Sequence, residues 1–230
     1  MFSEEIIDIL NNTILHKDLN IYIVSYLQEP LTDQTIHEAV TMWNVNKNEC
    51  IKRFGYISDW DVSKVINMSK LFIKNLTFNE DLSKWDVSNV VDMSYMFTFC
   101  RTFNSDLRNW NVSKVTDMTN MFSYCPKFNS DLSNWDVSKV TDMSNMFCNC
   151  LAFNSDLSNW DVSKVKDMSW MFSGCKTFNS NLNNWDVSNI TNIKHMFDYC
   201  SKFKSPLNNW NVSGIKNFKN TFWYYNIFKS

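Results

Sequence analysis

Apolar side chains in this chain fall on the same few phases again and again. From Leu107 they stand at Trp110, Val112, Val115, Met118, Met121, Phe122, Cys125 and Phe128, and the series restarts at Leu132, with Asn, Asp, Ser and Thr filling the gaps. Stepping by twenty-five residues from Trp110 returns Trp60, Trp85, Trp135, Trp160, Trp185 and Trp210 with no insertion or deletion. A fixed period of this length is the mark of a repeat protein whose units stack on one another, a solenoid.

Within one unit the pattern predicts two elements. Leu107, Trp110 and Val112 lie in a short stretch rich in strand formers, so a strand is expected around 107–112, stacked in parallel along the body. Val115, Met118, Met121, Phe122 and Cys125 recur at three and four, the spacing of one face of a short helix, with Thr116 or Asp117 to cap it. The expected fold is thus an α/β repeat solenoid of about seven right-handed, leucine-rich-repeat-like coils over residues 57–230, and a pure β-helix is disfavoured by the three-and-four spacing. Residues 1–30 read as a short helical segment. Residues 31–56 read as a helical cap or bridge, with Thr32-Asp33 capping a helix that carries Ile36, Ala39, Val40 and Trp43, and Asn46 capping a shorter one that ends before Gly55.

Composition narrows the chemistry. Three Gly leave little room for phosphate-cradling loops, and 22 Lys and Arg against 24 Asp and Glu give a net charge of −2, which creates no overall field for nucleic acid or an anionic membrane. The start of the chain, Met1-Phe-Ser-Glu-Glu-Ile-Ile-Asp, is acidic where a signal peptide is basic, and no long apolar run follows, so an intracellular location without a transmembrane segment is expected. Cys100, Cys125, Cys150, Cys175 and Cys200 form one column. Side chains in register on stacked coils sit about 4.8 Å apart and parallel, whereas a disulfide needs facing Cβ atoms about 3.8 Å apart, so these read as buried reduced thiols.

Comparing copies within the chain tests each polar column for chemistry. The Asp61, Asp86, Asp136, Asp161, Asp186 column also holds Asn111 and Asn211; the Asp81, Asp106, Asp131, Asp156 column also holds Asn181 and Pro206; the Asp92, Asp117, Asp142, Asp167 column also holds Asn67, Asn192 and Asn217. A calcium site loses affinity with each such exchange, while an oxygen that accepts from backbone N–H groups does not, so no metal is expected. Serines Ser63 to Ser213 have no recurring base beside them, since the only histidines are His16, His37 and His195, and a structural role at the turn follows. Lys64, Lys114, Lys139 and Lys164 make an interrupted ladder of a solvated face, which leaves nucleic acid a minor hypothesis. The Trp, Phe72-to-Phe222 and Phe78-to-Phe228 columns must be mostly buried. Cys148-Asn-Cys150 lacks a second ligand pair for zinc.

The unit Met-Phe-x-x-Cys-x-x-Phe-Asn-x-Asp-Leu-Ser-x-Trp-Asp-Val-Ser-x-Val-x-Asp-Met-Ser, nearly whole at 121–144 and 146–169, resembles the BspA-like leucine-rich repeat of bacterial surface proteins, especially the mycoplasma lipoprotein variety. The likeness covers about residues 31–228. It implies a cell-surface or adhesion-type protein without catalysis, although the usual leader is not in this sequence. The run Ile14 to Leu27 resembles the opening of an F-box, an adaptor for ubiquitin ligases, with His16 where a Pro is typical.

The resulting expectation is a non-enzymatic scaffold that binds an unknown protein partner, needs no cofactor, and works through the polar positions on the strand side, Lys84, Asn109, Asn134, Asn159, Asn184 and Asn209. A ubiquitin-ligase adaptor and a surface adhesin exported by another route are the alternatives. A monomer is expected, with end-to-end pairing through the aromatic residues 222–228 as the other possibility.

Overall fold

The computed structural model describes residues 29–218, 220 and 221. The expectations for the helical and F-box-like segment before residue 29, and for the aromatic tail at 222–228, fall outside the described residues.

The first described elements are two helices. Helix α1, Asp33–Val45, begins at a capping box in which the Thr32 side chain and Thr35 satisfy each other's backbone N–H groups, and it buries Ile36, Ala39, Val40 and Trp43. Helix α2, Lys47–Phe54, is capped by Asn46, whose Oδ1 accepts from Glu49 N–H at 3.1 Å, and ends at Gly55 with φ of 70°. A 3₁₀ turn, Ile57–Asp59, leads into the repeats.

These elements close the first edge of the stack with groups that imitate a preceding repeat. Farther along, the N–H groups of Val91 and Asp92 donate to the Ile66 carbonyl of the repeat before. The first such pair, Ile66 and Asn67, donates instead to Asp33 Oδ1, at 2.7 and 3.0 Å. Trp60 meets Trp43 edge to face, with ring centroids 5.9 Å apart, and Trp85 Nε1 donates to the Ile57 carbonyl. A carboxylate and an indole thus satisfy and cover what an open end would leave bare.

Each later repeat is a succession of β-turns. In the third, the Ser123 N–H donates to the Asn120 carbonyl three residues back at 3.1 Å, and five further N–H groups close turns in the same way between apolar residues: Trp110 to Leu107, Val115 to Val112, Met121 to Met118, Cys125 to Phe122 and Phe128 to Cys125, all between 2.9 and 3.1 Å. The first and fourth residue of every one of these apolar turns is buried. Between them, alternate N–H groups reach the next repeat: Met118 to Asp142, Asn120 to Ser144, Phe122 to Met146 and Tyr124 to Cys148. Register is therefore fixed at one repeat per twenty-five residues.

This arrangement corrects the expected α/β solenoid. Among the described residues there is no strand, only six isolated parallel bridges running from Asn67↔Asp92 to Asn192↔Asn217, and no helix inside the repeats. The strand expected at 107–112 is the turn Leu107–Trp110 and the start of the turn Val112–Val115, because the apolar residues that close each turn are three apart. The helix expected at 115–125 fails because φ is positive at Asn120 and Tyr124, 57° and 59°, where an α-helix needs negative φ throughout. Apolar residues at three-residue spacing mark the buried corners of turns here, a periodicity that a helix face shares.

The core is a single column of aromatic and aliphatic side chains inside the turns. Phe122 lies 3.9 Å from Phe128 in its own repeat and 5.6 and 5.8 Å from Phe97 and Phe147 in its neighbours, all near parallel. Burying one such side chain contributes roughly 1.5–3 kcal/mol.

Candidate functional site

The polar rows are first of all a hydrogen-bonding frame. In residues 104–117 the first residue of each turn motif accepts from the N–H two places on: Asp106 Oδ1 from Arg108 at 3.1 Å, Asn111 Oδ1 from Ser113 at 3.1 Å, Asp117 Oδ1 from Thr119 at 2.8 Å, with the same bond in most copies, such as Asp131 Oδ1 from Ser133 at 3.0 Å. Asp and Asn serve equally. Hydrogen bonds from the serine two residues on hold the carboxyls of Asp81, Asp131 and Asp156, through N–H first, and of Asp86, Asp136 and Asp186, through hydroxyl first, below the usual carboxylate range.

Inside, Trp and Cys act as a second frame. Trp110 Nε1 donates to the Leu82 carbonyl at 3.0 Å and Trp135 to Leu107 at 3.0 Å, and the pattern runs to Trp210. Cys125 Sγ donates to the Phe97 carbonyl at 3.0 Å and Cys175 to Phe147 at 3.0 Å. All seven thiols are free and buried. Burial pushes Cys50 and Cys148 up to about 11, Cys100 up to about 12, and Cys125, Cys150, Cys175 and Cys200 well above the ordinary thiol range. A neutral thiol is a weak donor and a poor nucleophile, which suits this packing role.

Two further ladders escaped the column-by-column reading. The Oδ1 of Asn79, Asn104, Asn129, Asn154 and Asn179 each accepts from the backbone N–H one repeat later, at 2.7–2.8 Å. The Oγ of Ser105, Ser130, Ser155, Ser180 and Ser205 each accepts from the buried Leu N–H one repeat earlier. Their signal in the sequence was the near-constancy of Asn-Ser before each Asp-Leu.

The row Lys84, Asn109, Asn134, Asn159, Asn184 and Asn209 lies in register on the exposed tips of the Leu-to-Trp turns. Lys84 Nζ is 3.3 Å from Asp59. The five asparagine side chains make no hydrogen bond among the described residues, in contrast to the Asn79–Asn179 row.

Two of the variable positions in each repeat have positive φ. One holds Lys70, Tyr95, Asn120, Asn145, Trp170, His195 and Asn220; the other holds Lys74, Phe99, Tyr124, Asn149, Gly174 and Tyr199. At Gly174 a Cβ would meet Asn149 Oδ1 at 2.5 Å, so a larger residue there would push the Asn149 side chain aside. Aromatic residues in this conformation are costly, of order 1–2 kcal/mol each, and part of that is offset by stacking: Phe99 on Tyr124 at 4.6 Å and Trp170 on His195 at 4.0 Å. His195 Nδ1 pairs with the buried Asp198 Oδ2. Among the described residues no serine hydroxyl or thiol bonds to His195, and no cluster of three metal-ligating side chains is found.

No helix among the described residues is long and apolar enough to cross a membrane. Neither a curated protein nor a solved structure matches the chain at significant similarity. One family model does match, over residues 37–150 and 127–230, which together take in most of the chain. The twenty-five-residue turn repeat with its Asn, Ser, Trp and Cys ladders is how this sequence builds that domain, and the chain belongs to the family described as Mycoplasma protein of unknown function, DUF285.

Proposed function

We propose that the protein is a non-enzymatic scaffold that binds another protein through the row Lys84, Asn109, Asn134, Asn159, Asn184 and Asn209. The observation that carries this reading is the uncommitted state of those five exposed amides, beside a second asparagine row entirely spent on backbone N–H groups. An amide offers two donors and two acceptor lone pairs, so a regular exposed row of them suits an extended polypeptide backbone laid along the stack. The resemblance of the repeat to BspA-like surface proteins supports binding over catalysis, and a surface adhesin is the form that resemblance favours.

The test is affinity capture from the native cell with the intact protein and with Asn134→Arg/Asn159→Arg. Loss of the captured protein with the double variant, at unchanged thermal unfolding, is the expected result. Equal recovery from both would remove this row from the interface.

A further inference from the structure

A net charge of −2 conceals a separation of charge around the stack. Residues 119–127 and their in-register copies at 69–77, 94–102, 144–152, 169–177 and 194–202 form one side, the double-turn face. It carries Lys70, Lys74, Arg101 and Lys127 in its first half and Lys176, Lys194 and Lys202 in its second. Its one carboxylate, Asp198, is buried and paired with His195. The segment 104–117 and its copies at 79–92, 129–142, 154–167, 179–192 and 204–217, which form the other side, hold thirteen carboxylates and eight cationic residues.

The cations of the two sides differ in their surroundings. On the acidic side Arg108 pairs with Asp106 at 2.9 Å and Lys84 with Asp59 at 3.3 Å, and Lys139 and Lys164 lie near enough to lower Asp136. None of the seven on the double-turn face is in an ion pair among the described residues; Lys70 instead stands 5.8 Å from the Tyr95 ring. The same face holds much of the exposed apolar surface of the repeats: Ile73, Leu76, Tyr124, Leu151 and Tyr199, with Tyr124 and Tyr199 45% and 54% exposed.

We infer that the double-turn face is a second docking surface, separate from the asparagine row, for an acidic protein segment that also carries aromatic or aliphatic side chains. Unpaired cations on five of the six copies attract carboxylates, and the intervening rings and aliphatic groups take up apolar side chains between them. A single-stranded nucleic acid is the other polyanion with stackable groups. It fits less well, because it wants successive open rings along its path, whereas Phe99 is taken up by Tyr124 and Trp170 by His195. The carboxylates of the opposite side would also repel a long polyanion, while a short acidic segment feels chiefly the charges within a Debye length of about 8 Å.

The experiment is fluorescence anisotropy at low salt with three labelled probes: a glutamate–tyrosine co-peptide, its lysine–tyrosine counterpart and single-stranded poly-dT. The glutamate–tyrosine peptide is expected to bind, and added salt to weaken it. Lys176→Glu/Lys202→Glu is expected to cut its affinity about tenfold, while Lys114→Glu/Lys139→Glu, on the acidic side, leaves it within about twofold. Tyr199→Ser separates apolar capture from charge alone and is expected to weaken the peptide without changing the salt slope. No binding of the acidic peptide, equal loss from both charge-reversal pairs, or poly-dT binding as tightly as the peptide would each overturn the assignment. The asparagine-row double variant is expected to bind the peptide normally, so the two surfaces fail or stand independently.

Discussion

Residues 104–117 and residues 119–127 of one repeat solve the same problem, closing tight turns over a buried column, by different means. The first segment reinforces its backbone-closed turns with side chains: Asp106, Asn111 and Asp117 each accept a local N–H, while Asn104 and Ser105 bond to neighbouring repeats. The second relies chiefly on backbone, using left-handed residues at Asn120 and Tyr124 and N–H bonds into the next repeat. Where side chains make the bonds, residue identity is held from copy to copy. Where the backbone makes them, outward side chains are free to differ, and it is there that Lys, Tyr, Phe, Trp, His, Asn and Gly alternate. Outside the asparagine row of the Leu-to-Trp turn tips, uniformity in a repeat therefore reports structural duty, and variation shows where duty ends.

The sharpest way to break this comparison is alkali. The thiol ladder lies in the second segment, and its folded pKa values are raised by burial. A thiol that stays protonated in the fold but ionises in the unfolded chain contributes stability that is whole below the unfolded pKa, near 8.5, and is lost as pH rises toward the folded value. Each such thiol adds to the loss, so the decline steepens above that point as several of them ionise in the unfolded chain. The lowered carboxyls of the other segment work in the opposite sense, with stability lost as pH falls through their folded values, below about pH 4, and their exposure keeps that loss small. Urea unfolding under reductant across this range should show a steep alkaline decline against a shallow acid one. A flat profile to pH 10 would mean that the thiols are not buried as a ladder.

The side-chain-reinforced segment can be probed one bond at a time. Asn129→Ala removes the acceptor of the Asn154 N–H, and a stability loss of about 1 kcal/mol is expected. Asp131→Ala should cost a similar amount at the Ser133 N–H, whereas Asp131→Asn should be nearly neutral because the amide oxygen accepts in its place. If Asp131→Asn were as damaging as Asp131→Ala, charge and not acceptor geometry would be the requirement at that row.

The difference between the segments also explains what could be read in advance. The repeat length, the buried set and the interchange of Asp with Asn were legible because they depend on composition at fixed intervals. The two helices of the cap were legible because Thr32 and Asn46 are local capping signals. The path of the chain through each repeat was not, because Val115, Met118, Met121 and Phe122 satisfy a helix face and a run of turn corners equally well. The distinguishing signal was left-handed backbone: Asn120, Asn145, Asn149 and Gly174 hint at it, but Tyr95, Phe99, Trp170 and His195 at the same phases conceal it. Residues that bond across repeats, such as Asn104 and Ser130, leave no local trace, and only their constancy marks them.

The smallest effect tests the claim that left-handed positions are free to vary at a cost. Lys74 has φ of 61° and an exposed side chain, and its own N–H donates to the Thr98 carbonyl at 2.8 Å. Asn tolerates this conformation better than Lys, and neither the backbone bond nor any packing is lost on exchange, so Lys74→Asn should stabilise the fold by up to ~1 kcal/mol. Lys84→Asn, on the exposed tip of a side-chain-reinforced turn, offers no such relief and forfeits only a surface ion pair with Asp59, worth between zero and about 1 kcal/mol. Chemical denaturation of the two variants side by side should thus move in opposite directions. If Lys74→Asn were neutral or destabilising, the left-handed turns would not carry the strain assigned to them, and the variety of residues on that face would need no compensating role in binding.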